Sequence, residues 1–177
     1  PHLNKVQRVD LTAGNAEVEP GVVLDQLNAG LRSQGWWFPV DIASSAQATL
    51  GGMAGNNASG SRSLAYGNMV HNTEGIEVML ADGTVEWFGP FGLRGGVPMR
   101  TARGAALVSR LFELGRAHHD EIAARFPQLL RRVGGYNLDV FHPQSPRPYT
   151  ADGSVNLAHL LVGSEGTLGV FRRLRLR

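Results

Sequence analysis

Residues 39–68, PVDIASSAQATLGGMAGNNASGSRSLAYGN, decide how the rest of the chain is read. Gly51, Gly52, Gly55, Gly60 and Gly67 fall within them, and Ser, Ala and Asn fill most of the remainder. No helical or two-residue apolar period runs long enough for an ordinary packed element. Such a composition usually marks a solvated linker, yet Leu50, Met53, Leu64 and Tyr66 recur at intervals and there is no charge run. Glycine lets backbone approach a neighbour closely and permits positive φ, so that successive N–H groups can converge on one acceptor. Chemistry alone leaves three readings open: a loop cradling a flat polar group, an ordinary structured loop, and a flexible linker.

Working outward, Trp36, Trp37 and Phe38 immediately precede the stretch and are expected to pack in the core at a helix end. That helix opens at Pro20-Gly21, shows Leu24, Leu27 and Leu31 on one face, and stops near Gly35. Before it, alternation of Val9 and Leu11, then Ala16 and Val18, around Gly14-Asn15 predicts a hairpin over residues 5–20. Downstream, Ile76, Val78 and Leu80 alternate, Asp82-Gly83 offers a type I′ turn, and Val85 and Trp87 return; this hairpin is expected in the middle of an antiparallel sheet. Gly89 to Gly104 reads as a loop closed by Arg100 and Arg103.

Leu107, Leu111, Leu114, His118 and Ile122 form one stripe and predict a long helix from Ala105 to Phe126, ended by Pro127. On that stripe His118 reads as a core histidine, and the adjacent His119 cannot share a metal with it from a regular helix. Arg131-Arg132 reads as a solvated cationic face, and Pro143 to Gly153, with three prolines, as an exposed loop. Leu157 to Val162 is expected to be a short apolar strand leading into GSEGTLG at 163–169. In the last segment Leu174 and Leu176 alternate with Arg173, Arg175 and Arg177, the pattern of a strand with one wet face.

A chain of 177 residues suits one domain with a substantial core. Its 42% hydrophobic and 18% charged residues are ordinary for a globular protein, whereas 23 glycines favour loop-rich backbone over a helical bundle. A net charge of +2 without a dense basic, aromatic-interleaved face argues against nucleic acid binding. The absence of Cys excludes disulfides and thiolate metal sites within these residues. No apolar run reaches the roughly 18 residues of a membrane span, and no signal peptide is visible.

Four motifs in order, PVDIASS, LGGMAGNNASG, YGN and GSEGTLGVF, resemble the flavin domain of the vanillyl-alcohol oxidase/p-cresol methylhydroxylase superfamily. With FPQLLRRVGGYNLDVF between them, they are most similar to bacterial FAD-linked 2-hydroxy-acid dehydrogenases of the D-lactate and D-2-hydroxyglutarate kind. The resemblance implies an α+β fold, a mostly antiparallel sheet flanked by helices. It implies that residues 1–177 are the larger, C-terminal part of an FAD-binding domain, inactive alone, with the pyrophosphate-loop subdomain upstream and the substrate cap downstream.

The implied cofactor is noncovalent FAD, since no His matches an attachment position. An iron–sulfur centre elsewhere in a longer protein is also implied. Pro39, Asp41, Ser44 and Ser45 would line the flavin, the two serine hydroxyls as donors. Gly51, Gly52, Asn56, Asn57, Ala58, Ser59 and Gly60 would deliver backbone N–H groups at the turn of a short helix. Gly67 completes YGN. Glu165, Gly166 and Val170 would approach the ribityl and adenine portions, the Glu165 carboxylate accepting N–H groups or hydroxyls. Tyr136 would lie in a buried turn near the flavin.

The implied reaction is oxidation of a D-2-hydroxy acid to the 2-oxo acid by hydride transfer to flavin N5, in the cytoplasm, with electrons leaving to another acceptor. Catalytic residues are expected in the cap; of the histidines here, His71 lies nearer the glycine-rich stretch than His118. Two alternatives stay open: an oxidase or synthase of the same superfamily acting on an alcohol, sugar or ether-lipid precursor, and a non-catalytic binding module.

Overall fold

The computed structural model describes residues 2–91, 99–127, 129, 132–141 and 155–177. Alternation produces the first hairpin, strands β1 (Val6–Asp10) and β2 (Asn15–Val18), and the leucine stripe produces helix α1 (Leu24–Arg32). The glycine-rich stretch folds as two short helices, α2 (Leu50–Gly55) and α3 (Ser63–Tyr66), before a 3-10 turn at Met69–Asn72. There follow β3 (Thr73–Met79), β4 (Val85–Phe88), the short β5 (Pro90–Phe91), α4 (Ala102–Ala117) and α5 (His119–Arg125). A 3-10 turn at Leu138–Phe141 comes next, then β6 (Val155–Asn156), another 3-10 turn at Leu157–Leu160, and β7 (Val170–Leu176).

The expected α+β architecture is present. Five strands form an antiparallel sheet in the order β1-β2-β7-β3-β4, and β5 pairs separately with β6. In register, Val18 and Ile76 flank Leu174, and all three are completely buried. This row anchors the core against α1, α2 and the 157–162 run. Each fully buried Leu or Ile contributes about 1.5–3 kcal/mol.

On the other face Arg175 bonds Glu17 at 2.6 Å, while Arg173 and Arg100 meet Glu77 at 3.1 and 2.6 Å. Both arginines from β7 lie over the Trp87 ring. Burial by itself would raise the Glu77 carboxyl, but the hydrogen bonds from Arg100 and Arg173 outweigh it and hold the group below its ordinary value. The face expected to be wet is therefore a half-buried ion-pair layer.

Several expectations are corrected. The β3–β4 hairpin lies at one side of the sheet, and β7 takes the middle. Its turn is not type I′, which needs two residues at positive φ; Asp82 is not among them, and Gly83 alone is left-handed in a three-residue loop. The long helix breaks at His118, which is exposed between α4 and α5. The buried face of α4 runs through Gly104, Val108 and Gly115 while Leu114 is exposed, because a Cβ at Gly104 would strike Glu86 and one at Gly115 would strike Phe141.

Residues 157–160 form a 3-10 turn rather than a strand, since the Asn156 side chain accepts the Ala158 N–H and turns the chain. Phe38 is buried as expected, but Trp36 and Trp37 are 46% and 40% exposed. Arg132 is not a solvated cation: its guanidinium pairs with buried Asp139 at 2.5 Å and lies over Phe126. The loop read over Pro143 to Gly153, Arg131 and the middle of the Gly89–Gly104 loop are outside the described residues.

Candidate functional site

The two glycine-rich segments, more than a hundred residues apart, are joined directly. Gly163 N–H donates to the Ala54 carbonyl and Glu165 N–H to the Gly55 carbonyl, both at 2.9 Å. The second segment reaches this position through backbone in the left-handed region at Gly163, Glu165 and Gly166 (φ +85°, +49° and +79°). Thr167 then closes the turn, its N–H and hydroxyl both donating to the Ser164 carbonyl. Gly52, Asn56, Glu165 and Gly166 are exposed along this seam, and among the described residues nothing beyond its chain neighbours lies within 4 Å of where a Gly166 Cβ would sit. Tyr136, Leu168 and Val170, 45%, 40% and 57% exposed, add apolar surface from the downstream side. Tyr136 is not in a buried turn, but its hydroxyl meets the Thr167 hydroxyl at 2.8 Å.

The expected donation of amides from 51–60 is not what the backbone offers. Leu50 N–H goes to Val22, Gly51 N–H to Pro20, and Gly52 N–H to the Thr49 hydroxyl that caps α2. Asn56, Asn57 and Ala58 donate to carbonyls within the helix, and Gly60 to the Ser63 hydroxyl. Tertiary neighbours have consumed the donors that an isolated helix start would leave free. A Cβ at Gly51 would come 2.4 Å from Pro20, and one at Gly60 would come 1.4 Å from the Asp41 carbonyl oxygen. These glycines make room for protein. At Gly166 the missing side chain leaves surface open, whereas at Gly52, though exposed, a Cβ would come 3.2 Å from the Thr49 hydroxyl.

Asp41 clasps the stretch into a closed loop by accepting from Ser61 Oγ (2.7 Å) and Arg62 N–H (2.9 Å). Partial burial opposes ionisation of this carboxyl, and those two bonds prevail, leaving it below its ordinary range. Ser44 is exposed and Ser45 half-buried; their carbonyls accept from Gln47, Ala48 and Asp25. Gly67 is buried against the His71 ring, whose Nδ1 accepts the Asn68 N–H, a capping role for that histidine. The Glu165 carboxylate is exposed, and the donors expected around it are not found among the described residues.

Sequence reasoning gave Asn57 to the cofactor and gave no role to Asn68 or Asn137, yet all three stand behind the seam. Asn57 and Asn68 both donate to the Arg132 carbonyl, and Asn137 donates to the carbonyls of His159 and Val162. Two buried acceptors beside them, Asn68 Oδ1 and Ser164 Oγ, have no partner among the described residues. The signal for these roles is the density of Asn next to Gly, which marks tolerance of left-handed backbone as much as ligand contact.

A recess of about 520 Å³ lies apart from the seam, lined by Leu27, Leu31, Trp36, Phe38 and Tyr66; of the predicted cofactor residues it takes in only Pro39. No group of His, Asp or Glu among the described residues is arranged to hold a metal, and no described helix is long and apolar enough to cross a membrane.

The family described as FAD binding domain matches residues 1–89. This chain belongs to it. The resemblance read from the motifs is thereby established at the family level, and with it FAD as the cofactor. The chain is 33% identical to a D-2-hydroxyglutarate dehydrogenase of Pantoea ananatis over 183 residues, covering 99% of this chain and 17% of the relative. It is 30% identical to the Escherichia coli (strain K12) protein of that name, with 99% and 17% covered. It is 34% identical to a probable mitochondrial D-lactate dehydrogenase of Danio rerio, with 90% and 21% covered. The chain thus spans about a sixth to a fifth of the length of these relatives.

The seam suits FAD chemically. It offers exposed backbone at Gly52 and open space at Gly166 beside exposed apolar side chains, as a flat ring system with polar edges requires.

Proposed function

We propose that the seam between residues 51–60 and 163–170 is part of the FAD site of an oxidoreductase that converts a D-2-hydroxy acid, D-2-hydroxyglutarate or D-lactate, to the 2-oxo acid. The observation that carries this reading is the pair of backbone hydrogen bonds from Gly163 and Glu165 onto the end of α2. They turn two distant motifs into one open ledge in a chain of the FAD-binding family. The substrate class follows the names of the relatives.

Bound FAD supplies a two-electron acceptor at its N5. The residues of this chain hold and orient it. Gly166 would leave room for close approach beside the exposed edge at Gly52, while Tyr136, Leu168 and Val170 would cover apolar parts of the cofactor and exclude water. Asp41 keeps the Pro39 to Ser45 segment against Ser61 and Arg62. Binding is noncovalent. Residues 1–177 are the larger part of the flavin domain; the anion contacts for the pyrophosphate, the substrate-binding groups and the catalytic base come from other parts of a longer, cytoplasmic protein.

The test is to purify the full-length protein, record its flavin spectrum, and add each acid anaerobically. Bleaching of a stoichiometric flavin band by D-2-hydroxyglutarate or D-lactate, and not by the L-enantiomers, is expected. A flavin bleached only by an alcohol or sugar would place the protein with the oxidases of the superfamily. A purified protein without flavin would overturn the reading.

A further inference from the structure

Asn57 is 1% exposed and sits in the left-handed region at φ +50°. Four pieces of backbone meet on it. Its N–H donates to the Ala54 carbonyl, the same oxygen that receives Gly163 N–H. Its Oδ1 accepts Val70 N–H at 3.0 Å, and its Nδ2 donates to the Arg132 carbonyl at 3.1 Å. A Cβ placed on Gly163 would lie 3.6 Å from the Asn57 Cβ. Asn68, completely buried, donates to the same Arg132 oxygen at 3.4 Å. Residues 132–137 are in turn tied to the downstream segment, through Asn137 to Val162 and through Tyr136 to Thr167.

We infer that Asn57 is the positioning residue of the FAD site: buried beneath the ledge, it sets the register of the upstream glycine-rich segment against the downstream one. A carboxamide suits this place because it is the small group with one acceptor for Val70 N–H and one donor for the Arg132 carbonyl, on a residue that tolerates left-handed backbone. Its buried polar atoms are satisfied by protein, so it contributes to cofactor binding through geometry rather than contact. The inference rests on the proposed FAD site.

The experiment uses the full-length protein and FAD itself, titrated into apoprotein and followed by quenching of flavin fluorescence, with visible circular dichroism of the bound flavin as a second readout. Asn57→Asp keeps the shape and the Val70 acceptor but turns an oxygen toward the Arg132 carbonyl. Asn57→Gly keeps the left-handed backbone and removes both bonds, so it is the variant to rely on if the aspartate form fails to fold. Asn156→Asp is the control: Asn156 is also buried, and as Asp it keeps its acceptor for the Ala158 N–H while losing the donor to the Thr73 and Glu74 carbonyls of β3.

Both Asn57 variants are expected to raise the FAD dissociation constant about tenfold or more and to alter the flavin dichroism. Asn156→Asp is expected to lower the thermal midpoint comparably, with FAD affinity within about twofold of wild type. Asn57 variants with wild-type affinity and dichroism would overturn the inference, as would an Asn156→Asp loss of affinity as large as theirs. Wild-type apoprotein that takes up no FAD would instead overturn the reading beneath it.

Discussion

The two glycine-rich segments look alike in sequence and do opposite things. In the upstream one the missing side chains at Gly51 and Gly60 are where Pro20 and the Asp41 carbonyl come in, and nearly every amide is spent inside the protein. In the downstream one, Gly166 faces open space with its backbone held left-handed. The upstream segment is packed scaffold except along its exposed Gly52 and Asn56 edge, and the downstream one is open at Gly166 while Gly169 packs on β3. A glycine count cannot separate these, because the same residue serves different reasons: close approach at Gly60, φ at Gly166.

The sharpest way to break this contrast is Gly60→Ala. Its Cβ would overlap the Asp41 carbonyl, so the loop has to open; a loss of about 3 kcal/mol or more is expected in denaturant unfolding. Stability within error of wild type would show that the upstream loop is not packed as a scaffold.

A second test addresses the support of the downstream segment. His159, on the turn leading into it, is fully buried, and burial pushes its pKa down from 6.5 to about 3, against the raising effect of the Nε2–H bond to the Thr73 carbonyl. The native state therefore refuses a proton that the unfolded chain accepts below its ordinary 6.5, so stability falls as pH drops through that value and keeps falling toward about 3. About 2 kcal/mol should be lost between pH 7 and about pH 5, and His159→Gln should flatten that dependence. A pH-independent wild type over this range would contradict the burial.

The smallest effect is expected at Gly166→Ala, where the space is open and only the left-handed backbone resists: about 1 kcal/mol of stability, accompanied by weaker FAD binding. A loss as large as at Gly60 would erase the distinction between the two segments.

Much of this was legible in the sequence. Alternation around Gly14 and around Ile76, and the Leu24/Leu27/Leu31 stripe, gave the right element types; burial follows the period in β2, β3 and α1 but not in β1, which is exposed. The order of four motifs was enough to reach the family. What failed was what depends on partners. The stripe on α4 holds at Leu107 and Leu111, which pack partly against the core, and fails at Leu114, because small residues at Gly104 and Gly115 mark the side that meets Glu86 and Phe141. The run at 157–162 was misread because a continuous apolar stretch has no period to distinguish strand from turn. The amides of α2 were assigned to a ligand because Pro20 and Val22, which take them, lie far back along the chain.

Amide hydrogen exchange on the full-length protein, with and without FAD, tests the central claim most directly. If the joined segments form one cofactor ledge, FAD should slow exchange at residues 52–56 and 165–168 together. Protection confined to one of them, or centred on the recess beside Trp36 and Tyr66, would contradict it.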